Sequence, residues 1–356
     1  MAYKVIQWST GNVGACSIRG IDYHPELELV GLWVHSEAKE GLDAGEIAGI
    51  APTGVAATRD AEALLALDAD CICYTAAADT RIEPAVDDLC RLLRAGKNVV
   101  ARSPVALVHP LGLGEAVRDR LVEACEAGGT SLWVNGIDPG WANDVFPLVL
   151  TGISERWKTV RIQEIVNYAT YDQPSIVFDV MGFGGPIEDA PVFGAEGVLS
   201  AMWGGTIRLL ADGLGVPLDG MRESYERVAV SFPFEALGRT VEPGSCAAVR
   251  FEIQGIVDGE PRLVVEHVTR LHDEAARDWP QGHGYCVKVE GVPNLECRLD
   301  MYDDQGDTAV AGVILTSTRI VNAIPAVCQA PPGFLSPLDL PLVTGRGLMV
   351  PKAARA

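Results

Sequence analysis

The sequence predicts an α/β fold. We expect a parallel sheet covered by helices over residues 1–150 and an α+β second domain with a largely antiparallel sheet. Two patterns support this prediction. Up to about residue 150, short continuous apolar runs alternate with segments of helical period, as in a sheet covered on both faces. After about residue 150, apolar and polar residues alternate singly, which is typical of strands with one covered face.

The first domain is predicted from apolar runs separated by amphipathic helices. Two helical patterns end at glycines, one before Gly96 and one before Gly128-Gly129, where glycine is favoured as a helix C-cap. The predicted strands after the first are residues 29–34, 69–76 ("ADCICYTA"), 98–101 ("NVVA") and 131–136 ("SLWVNG").

The second domain is predicted over residues 151–316. A strand ending near Val257 meets Asp258-Gly259, a strong hairpin signal, and "RLVVEHVTRL" is the returning strand. Residues 194–215 have a helical pattern. We expect a last helix at about 317–328 to pack back onto the first domain, and a C-terminal extension over 329–356.

Bulk properties exclude several functions. The chain has 356 residues and a formal net charge of -20, which would repel phosphate backbones, so no nucleic-acid partner is expected. No apolar run approaches the roughly 18 residues of a membrane span, and no signal peptide is evident, so we expect a cytoplasmic protein without membrane contact. Nine cysteines without paired spacing predict buried thiols, with no metal site.

The stretch "QWSTGNVGACSIRGI" (7–21) follows a short apolar run and opens a helical pattern near Asn12. Gly11 would allow close approach of a diphosphate, and Gly14 would allow tight helix packing. Ser9 stands where the first glycine is usual, and we expect its φ to stay negative. This context predicts a dinucleotide-binding Rossmann domain, with a plain turn as the alternative. The predicted contacts are Ser9, Thr10, Gly11, Asn12, Val13 and Gly14.

The residues at the end of the second predicted strand indicate whether NAD(H) or NADP(H) binds. It carries His35 where an acidic residue would bind the ribose hydroxyl of NAD. Ser36 and Lys39 could contact a 2′-phosphate, whereas Glu37 argues the other way. We therefore expect NADP(H) to be preferred, with NAD(H) possible.

Several motifs resemble one oxidoreductase group, the dihydrodipicolinate reductase N-terminal-like proteins. The likeness is greatest to the branch of amine dehydrogenases and 2,4-diaminopentanoate dehydrogenase. The resemblance implies hydride transfer with a nicotinamide cofactor. Dihydrodipicolinate reduction itself is not expected, because a paired-histidine segment and a "KxDAPSGT" segment are absent from this sequence. The motifs are "STGNVG" (9–14), "AGKNVVARSP" (95–104), "GIDPGWANDVFPL" (136–148), "EHVTRLHDEAARDWP" (266–280) and "NAIPAVCQAPPG" (322–333).

Further cofactor contacts are expected in the loops after strands, where open α/β sheets bind their ligands. The resemblance favours a cofactor role for Asn322, which we expect to begin the last helix. It also implies a glutamate just after "NVV", but residues 101–105 read "ARSPV" and contain no carboxylate. The other predicted cofactor contacts are Thr75, Ala76, Ala101, Arg102, Pro139 and Asn143.

Three residues are candidates for acid–base chemistry. Glu164 falls on the apolar face of a predicted strand and suits an amine-binding or acid–base role, with a structural ion pair or a solvated sheet rim as the alternatives. Tyr168 could donate a proton, although core packing is the common fate of such aromatics. His109 could polarise a carbonyl, although a loop histidine is more often on the surface. The predicted substrate pocket contains Trp141, Tyr171 and Val105.

The sequence therefore predicts an oxidoreductase that transfers hydride to or from a C=N carbon of a small molecule. Reduction of a carbonyl or an activated C=C bond is the alternative within enzymes, because the expected glutamate is missing. A non-catalytic NADP(H)-binding redox sensor is the alternative outside enzymes. We expect a homodimer, with the sheet of the second domain as the contact face.

Overall fold

The structure, a computed structural model, describes residues 2–350. It divides into two compact units, which we describe separately. The first contains residues 2–138 and 313–350, and the second contains residues 139–312.

A seven-stranded parallel sheet forms the centre of the first unit, which confirms the predicted Rossmann architecture. Strands are numbered in chain order through the whole protein, and the order across this sheet is β15-β6-β5-β4-β1-β2-β3. The strands are β1 (Tyr3–Trp8), β2 (Leu27–Trp33), β3 (Ala57–Thr58), β4 (Cys71–Tyr74), β5 (Asn98–Ala101), β6 (Ser131–Val134) and β15 (Gly333–Leu335).

Helices cover this sheet on both faces. The predicted amphipathic helix before Gly96 is present, and its apolar residues, among them Val86, Leu89 and Leu93, are buried. Gly96 has a φ of +78°, as a residue that ends a helix requires. The helices are α1 (Asn12–Tyr23), α2 (Ala44–Ala48), α3 (Ala61–Leu65), α4 (Ile82–Arg94), α5 (Glu115–Gly128) and α8 (Thr308–Gln329).

The last helix, α8, begins earlier than predicted. The Asp307 carboxylate accepts hydrogen bonds from the backbone N–H groups of Ala309 and Val310, at 2.8 and 2.9 Å, and this cap fixes the start of the helix. The prediction that Asn322 begins the helix is therefore wrong, because Asn322 lies well inside it. Among residues 2–350, α8 alone is long and apolar enough to cross a membrane, but Val321 and Ile324 on its buried face pack into the core beneath the sheet.

The second unit contains a six-stranded sheet in the order β14-β13-β7-β12-β11-β8. Only β7 and β12 pair in parallel, so the sheet is largely antiparallel, as predicted. The predicted hairpin turn is present, with positive φ at both Asp258 and Gly259. The strands are β7 (Arg156–Asn167), β8 (Gly220–Ala229), β9 (Phe234–Ala236), β10 (Arg239–Val241), β11 (Cys246–Val257), β12 (Glu260–Arg270), β13 (Gly284–Val292) and β14 (Leu295–Leu299).

One face of this sheet packs against α7 (Val198–Leu214), and α6 (Val145–Thr151) lies earlier in the same unit. The opposite face carries buried charges. The Arg161 guanidinium lies 2.6 Å from both Glu252 Oε1 and Glu266 Oε2, and Arg250 Nε donates to Glu266 at 2.9 Å. These pairs compensate carboxylates that have lost most of their hydration.

Candidate functional site

The glycine loop follows β1, but Ser9 makes its first turn differently from our prediction. Its φ is +81°, so the expected negative φ is wrong. Hydrogen bonds hold the residue in this conformation, which costs an L-residue on the order of 1 kcal/mol. Ser9 N donates to Trp33 O at 3.0 Å, and Gln7 Nε2 donates to Ser9 O at 2.9 Å.

The two glycines of this loop have different surroundings. A Cβ on Gly14 would lie 2.3 Å from Ser9 O and 2.9 Å from Thr75 Oγ1, so only glycine fits there. A Cβ on Gly11 would meet nothing within 4 Å. Gly11 is the N-cap of α1, and it has no side chain that could accept a hydrogen bond from the helix. The N–H groups in the first turn of a helix also have no acceptor within the helix. This open approach to unpaired donors fits a diphosphate group.

Three predicted cofactor residues, His35, Ser36 and Lys39, follow the end of β2. Lys39 Nζ donates to Thr10 O at 2.9 Å and lies 3.2 Å from Thr10 Oγ1, so the ammonium lies beside the glycine loop. His35 and Ser36 are exposed at the end of β2. The Trp8 and Trp33 rings stack at 4.8 Å where β1 and β2 end.

The loops after β4 and β5 meet at the same edge of the sheet. Thr75 Oγ1 lies 3.2 Å from Ser9 O, and Ser103 Oγ donates to Ala76 O at 2.7 Å. Arg102 Nε donates to Thr75 O at 3.3 Å. Ala101 differs from these residues because it is fully buried in β5, where its side chain is part of the core.

Two predicted residues lie farther along the chain after β5. Val105 is half-buried and begins a short helical turn, and its N–H donates to Asp79 Oδ1 at 2.7 Å. His109 is buried, although most loop histidines lie on the surface. Its Nδ1 accepts a hydrogen bond from Leu111 N at 3.1 Å. A catalytic role for His109 stays a prediction.

In the second unit, the segment before α6 forms a compact turn. Asn143 Oδ1 accepts from Gly140 N at 2.9 Å, and the Asp144 carboxylate accepts from Val145 N to cap α6. Trp141 stacks on Phe146 at 5.1 Å. The roles predicted for Pro139 and Asn143 at the cofactor, and for Trp141 in the pocket, stay predictions.

Glu164 lies at the centre of a row of polar side chains on the face packed against α7. It pairs in register with His267 on β12 and with Tyr285 on β13. His267 Nδ1 lies 2.9 Å from Glu164 Oε2, and Tyr285 Oη donates to Glu164 Oε1 at 2.8 Å. Glu164, His267 and Tyr285 are 7%, 4% and 2% exposed. We call these three residues the Glu164 row.

The electrostatics of Glu164 depend on these partners. Burial raises the pKa of its carboxyl, but the charge and hydrogen bond of His267, with hydrogen bonds from Tyr285 and Tyr168, bring the pKa below its ordinary value. Tyr168 stacks on Tyr171 at 4.7 Å just beyond the end of β7. The predicted residues Glu164, Tyr168 and Tyr171 therefore lie together, and the structure adds His267 and Tyr285.

A parallel sheet with a glycine loop after its first strand, joined in one chain to a unit with a second sheet, defines a Rossmann-type dehydrogenase fold. The comparisons with known proteins agree. A family profile described as the 2,4-diaminopentanoate dehydrogenase C-terminal domain matches residues 143–352. An amine dehydrogenase of Streptomyces virginiae is 40% identical over 348 residues, which cover 95% of this chain and 96% of that protein.

Two further relatives are more distant. A 2,4-diaminopentanoate dehydrogenase of Acetoanaerobium sticklandii is 23% identical over 267 residues, covering 74% of this chain and 72% of that protein. The solved structure of an amine dehydrogenase from Mycobacterium smegmatis has a TM-score of 0.77 at 22% identity, covering 97% of this chain and 98% of that chain. The chain belongs to the amine dehydrogenase and 2,4-diaminopentanoate dehydrogenase family of oxidoreductases, so the resemblance stated from the motifs is confirmed.

Proposed function

We propose that the protein is an NADP(H)-dependent amine dehydrogenase that interconverts an amine with its imine and, through water, with a carbonyl compound and ammonium. The observation that carries this proposal is the buried Glu164 carboxylate, which lies between His267 and Tyr285 on the sheet face packed against α7. A carboxylate in such surroundings is suited to bind a protonated amino group. The relative that is 40% identical bears the name amine dehydrogenase, which supports the same chemistry.

The roles of the residues follow from their donor and acceptor chemistry. The nicotinamide, when bound, would accept or supply the hydride. The unpaired N–H groups at the start of α1, approached over Gly11, would bind the diphosphate. Lys39, beside Ser36, would favour a 2′-phosphate through its charge. Glu164 would bind the ammonium group of the substrate and accept its proton at a carboxylate oxygen, with Tyr168 as a hydrogen-bonding neighbour.

A carbonyl reductase is the second candidate, because residues 101–105 contain no carboxylate where the resemblance implies one. The two candidates differ in their need for ammonium. We expect NADPH oxidation with small ketones and aldehydes only when ammonium is present. An equal rate without ammonium would establish carbonyl reduction, and NADPH binding without turnover would establish a sensor.

Cofactor titrations test the binding residues separately from turnover. We expect NADPH to bind more tightly than NADH, and Lys39→Ala to weaken NADPH binding by about tenfold while leaving NADH nearly unchanged, since one charge-assisted contact contributes about 1.5 kcal/mol. Glu40→Ala, a substitution at a nearby exposed residue, is the control. Equal loss for both cofactors would contradict a 2′-phosphate contact. We also propose that the protein is a cytoplasmic homodimer. Sedimentation of the purified protein would test this oligomeric state.

A further inference from the structure

The His267 ring is held in one orientation by aromatic side chains. It stacks on Phe251 with centroids 4.5 Å apart and 11° between the planes. Trp203 on α7 meets the same ring edge-on, at 4.8 Å and 65°. In this orientation Nδ1 faces Glu164 Oε2 at 2.9 Å. The ring therefore has little freedom to turn away from the carboxylate.

The two oxygens of Glu164 are held from opposite sides. His267 reaches Oε2 from β12, and Tyr285 reaches Oε1 from β13. Because three strands in register supply this row, the plane of the carboxylate is fixed by the sheet. A buried carboxylate without such partners would take up a proton and lose its charge. An ammonium group has donors only, so it binds the ionised form.

We propose that His267 is a positioning residue, whose Nδ1–H fixes the Glu164 carboxylate so that it can bind the amino group of the substrate. This inference rests on the proposed function, in which Glu164 contacts the substrate nitrogen. The lowered pKa of Glu164, caused by the His267 charge and hydrogen bonds against the effect of burial, agrees with an ionised carboxylate. His267 acts through Glu164 and is assigned no contact with the substrate.

The test compares two substitutions that differ in one hydrogen bond. His267→Asn retains an N–H donor at the position of Nδ1 but has no titrating ring, whereas His267→Leu removes the donor. We expect His267→Leu to lower kcat/KM for the amine about 100-fold, the cost of a misplaced catalytic group, and His267→Asn to stay within about tenfold of wild type. Most of the change should appear in KM for the amine, with KM for NADP⁺, which accepts the hydride in this direction, unchanged.

A matched control separates positioning from general damage. His272→Leu changes a histidine of the same segment, whose ring packs on Phe232 and Phe234 at 5.0 Å. We expect this variant to keep wild-type kinetics. Thermal unfolding of all three variants verifies that they are folded. Equal activity of His267→Leu and wild type would overturn the proposal. Equal loss in His267→Leu and folded His267→Asn would also overturn it, because the imidazole itself would then carry the proton.

A spectroscopic measurement tests the pair without any turnover. The chain has six histidines, so ¹⁵N labelling of the rings gives a small set of signals. We expect a downfield Nδ1–H signal in the wild type that is lost in Glu164→Leu. Absence of this signal from the wild type would refute the hydrogen bond and with it the proposal. If the signal is present but no amine is turned over, the proposed function fails while the pair stands, so the two failures are distinguishable.

Discussion

Replacing Gly14 by alanine is expected to disrupt the glycine loop. The added Cβ would lie 2.3 Å from Ser9 O and 3.0 Å from Ser9 C, both backbone atoms. Neither atom can move freely, because Ser9 N donates to Trp33 O and Gln7 donates to Ser9 O. Relief of the contact requires the loop and α1 to separate by about 1 Å, since contacts of a Cβ below 3.4 Å are rare.

The magnitude follows from two opposing effects. Overpacking a tight site costs about 3 kcal/mol at the upper end of its usual range. Alanine in place of glycine within a helix returns about 1 kcal/mol. We therefore expect Gly14→Ala to lower the free energy of unfolding by about 2 kcal/mol and to weaken NADPH binding, because the donors at the start of α1 would be displaced.

The assay is urea unfolding of the cofactor-free protein by circular dichroism, followed by NADPH titration. Gly11→Ala is the matched control, since its Cβ would meet nothing within 4 Å and its φ is -70°. We expect its stability to stay within about 0.5 kcal/mol of wild type, while its methyl group obstructs the diphosphate and weakens NADPH binding. Wild-type stability in Gly14→Ala, or wild-type NADPH affinity in Gly11→Ala, would refute the reasoning about this loop.

Three other predictions concern the stability of the folded chain. Ser9→Gly should raise the free energy of unfolding by about 1 kcal/mol, because glycine adopts the positive φ without strain; a decrease in urea denaturation would contradict this. Burial raises the pKa of Glu252, but hydrogen bonds and charge from Arg161, with Gln254 and Arg250, bring it below its ordinary value. The charge of Glu252 therefore stabilises the fold fully above the unfolded pKa, and this contribution is lost as pH falls through the folded pKa. We expect Glu252→Gln to lower the free energy of unfolding by about 1–3 kcal/mol at pH 7 and by progressively less below about pH 4. Denaturation at several pH values measures this change. Asp307→Ala should cost about 1 kcal/mol by removing the cap of α8, and hydrogen exchange should increase in the first turn of α8 while its last turn stays unchanged.

The fold was predictable because its signals are local. Continuous apolar runs marked β4 and β5, and Asp258-Gly259 marked the hairpin between β11 and β12. The start of α8 was not predicted. The apolar pattern continues upstream of Asn322 without marking where the helix begins, and the Asp307 cap that fixes the start lies well before it. The positive φ of Ser9 was also missed, since a serine gives no sign of a conformation that glycine usually adopts.

The candidate site was predictable only in part. Glu164 could be found because a carboxylate stands out among the apolar residues of an alternating strand. His267 and Tyr285 could not, because histidine and tyrosine occur often on half-buried faces. Their convergence also depends on the register of three strands, with β7 far from β12 and β13 in sequence. Alternation along one strand assigns a face but does not specify which distant residue lies opposite.

The Glu164 row has a consequence for how this sheet can change during evolution. Loss of Glu164 alone would remove the carboxylate that His267 Nδ1 faces, and loss of His267 alone would remove one of the partners that compensate the buried carboxylate. Either single substitution would therefore give a less stable protein, whereas apolar residues at both positions would pack well. Homologues are therefore expected to keep both residues or to have exchanged both, and intermediates with only one of them should be rare.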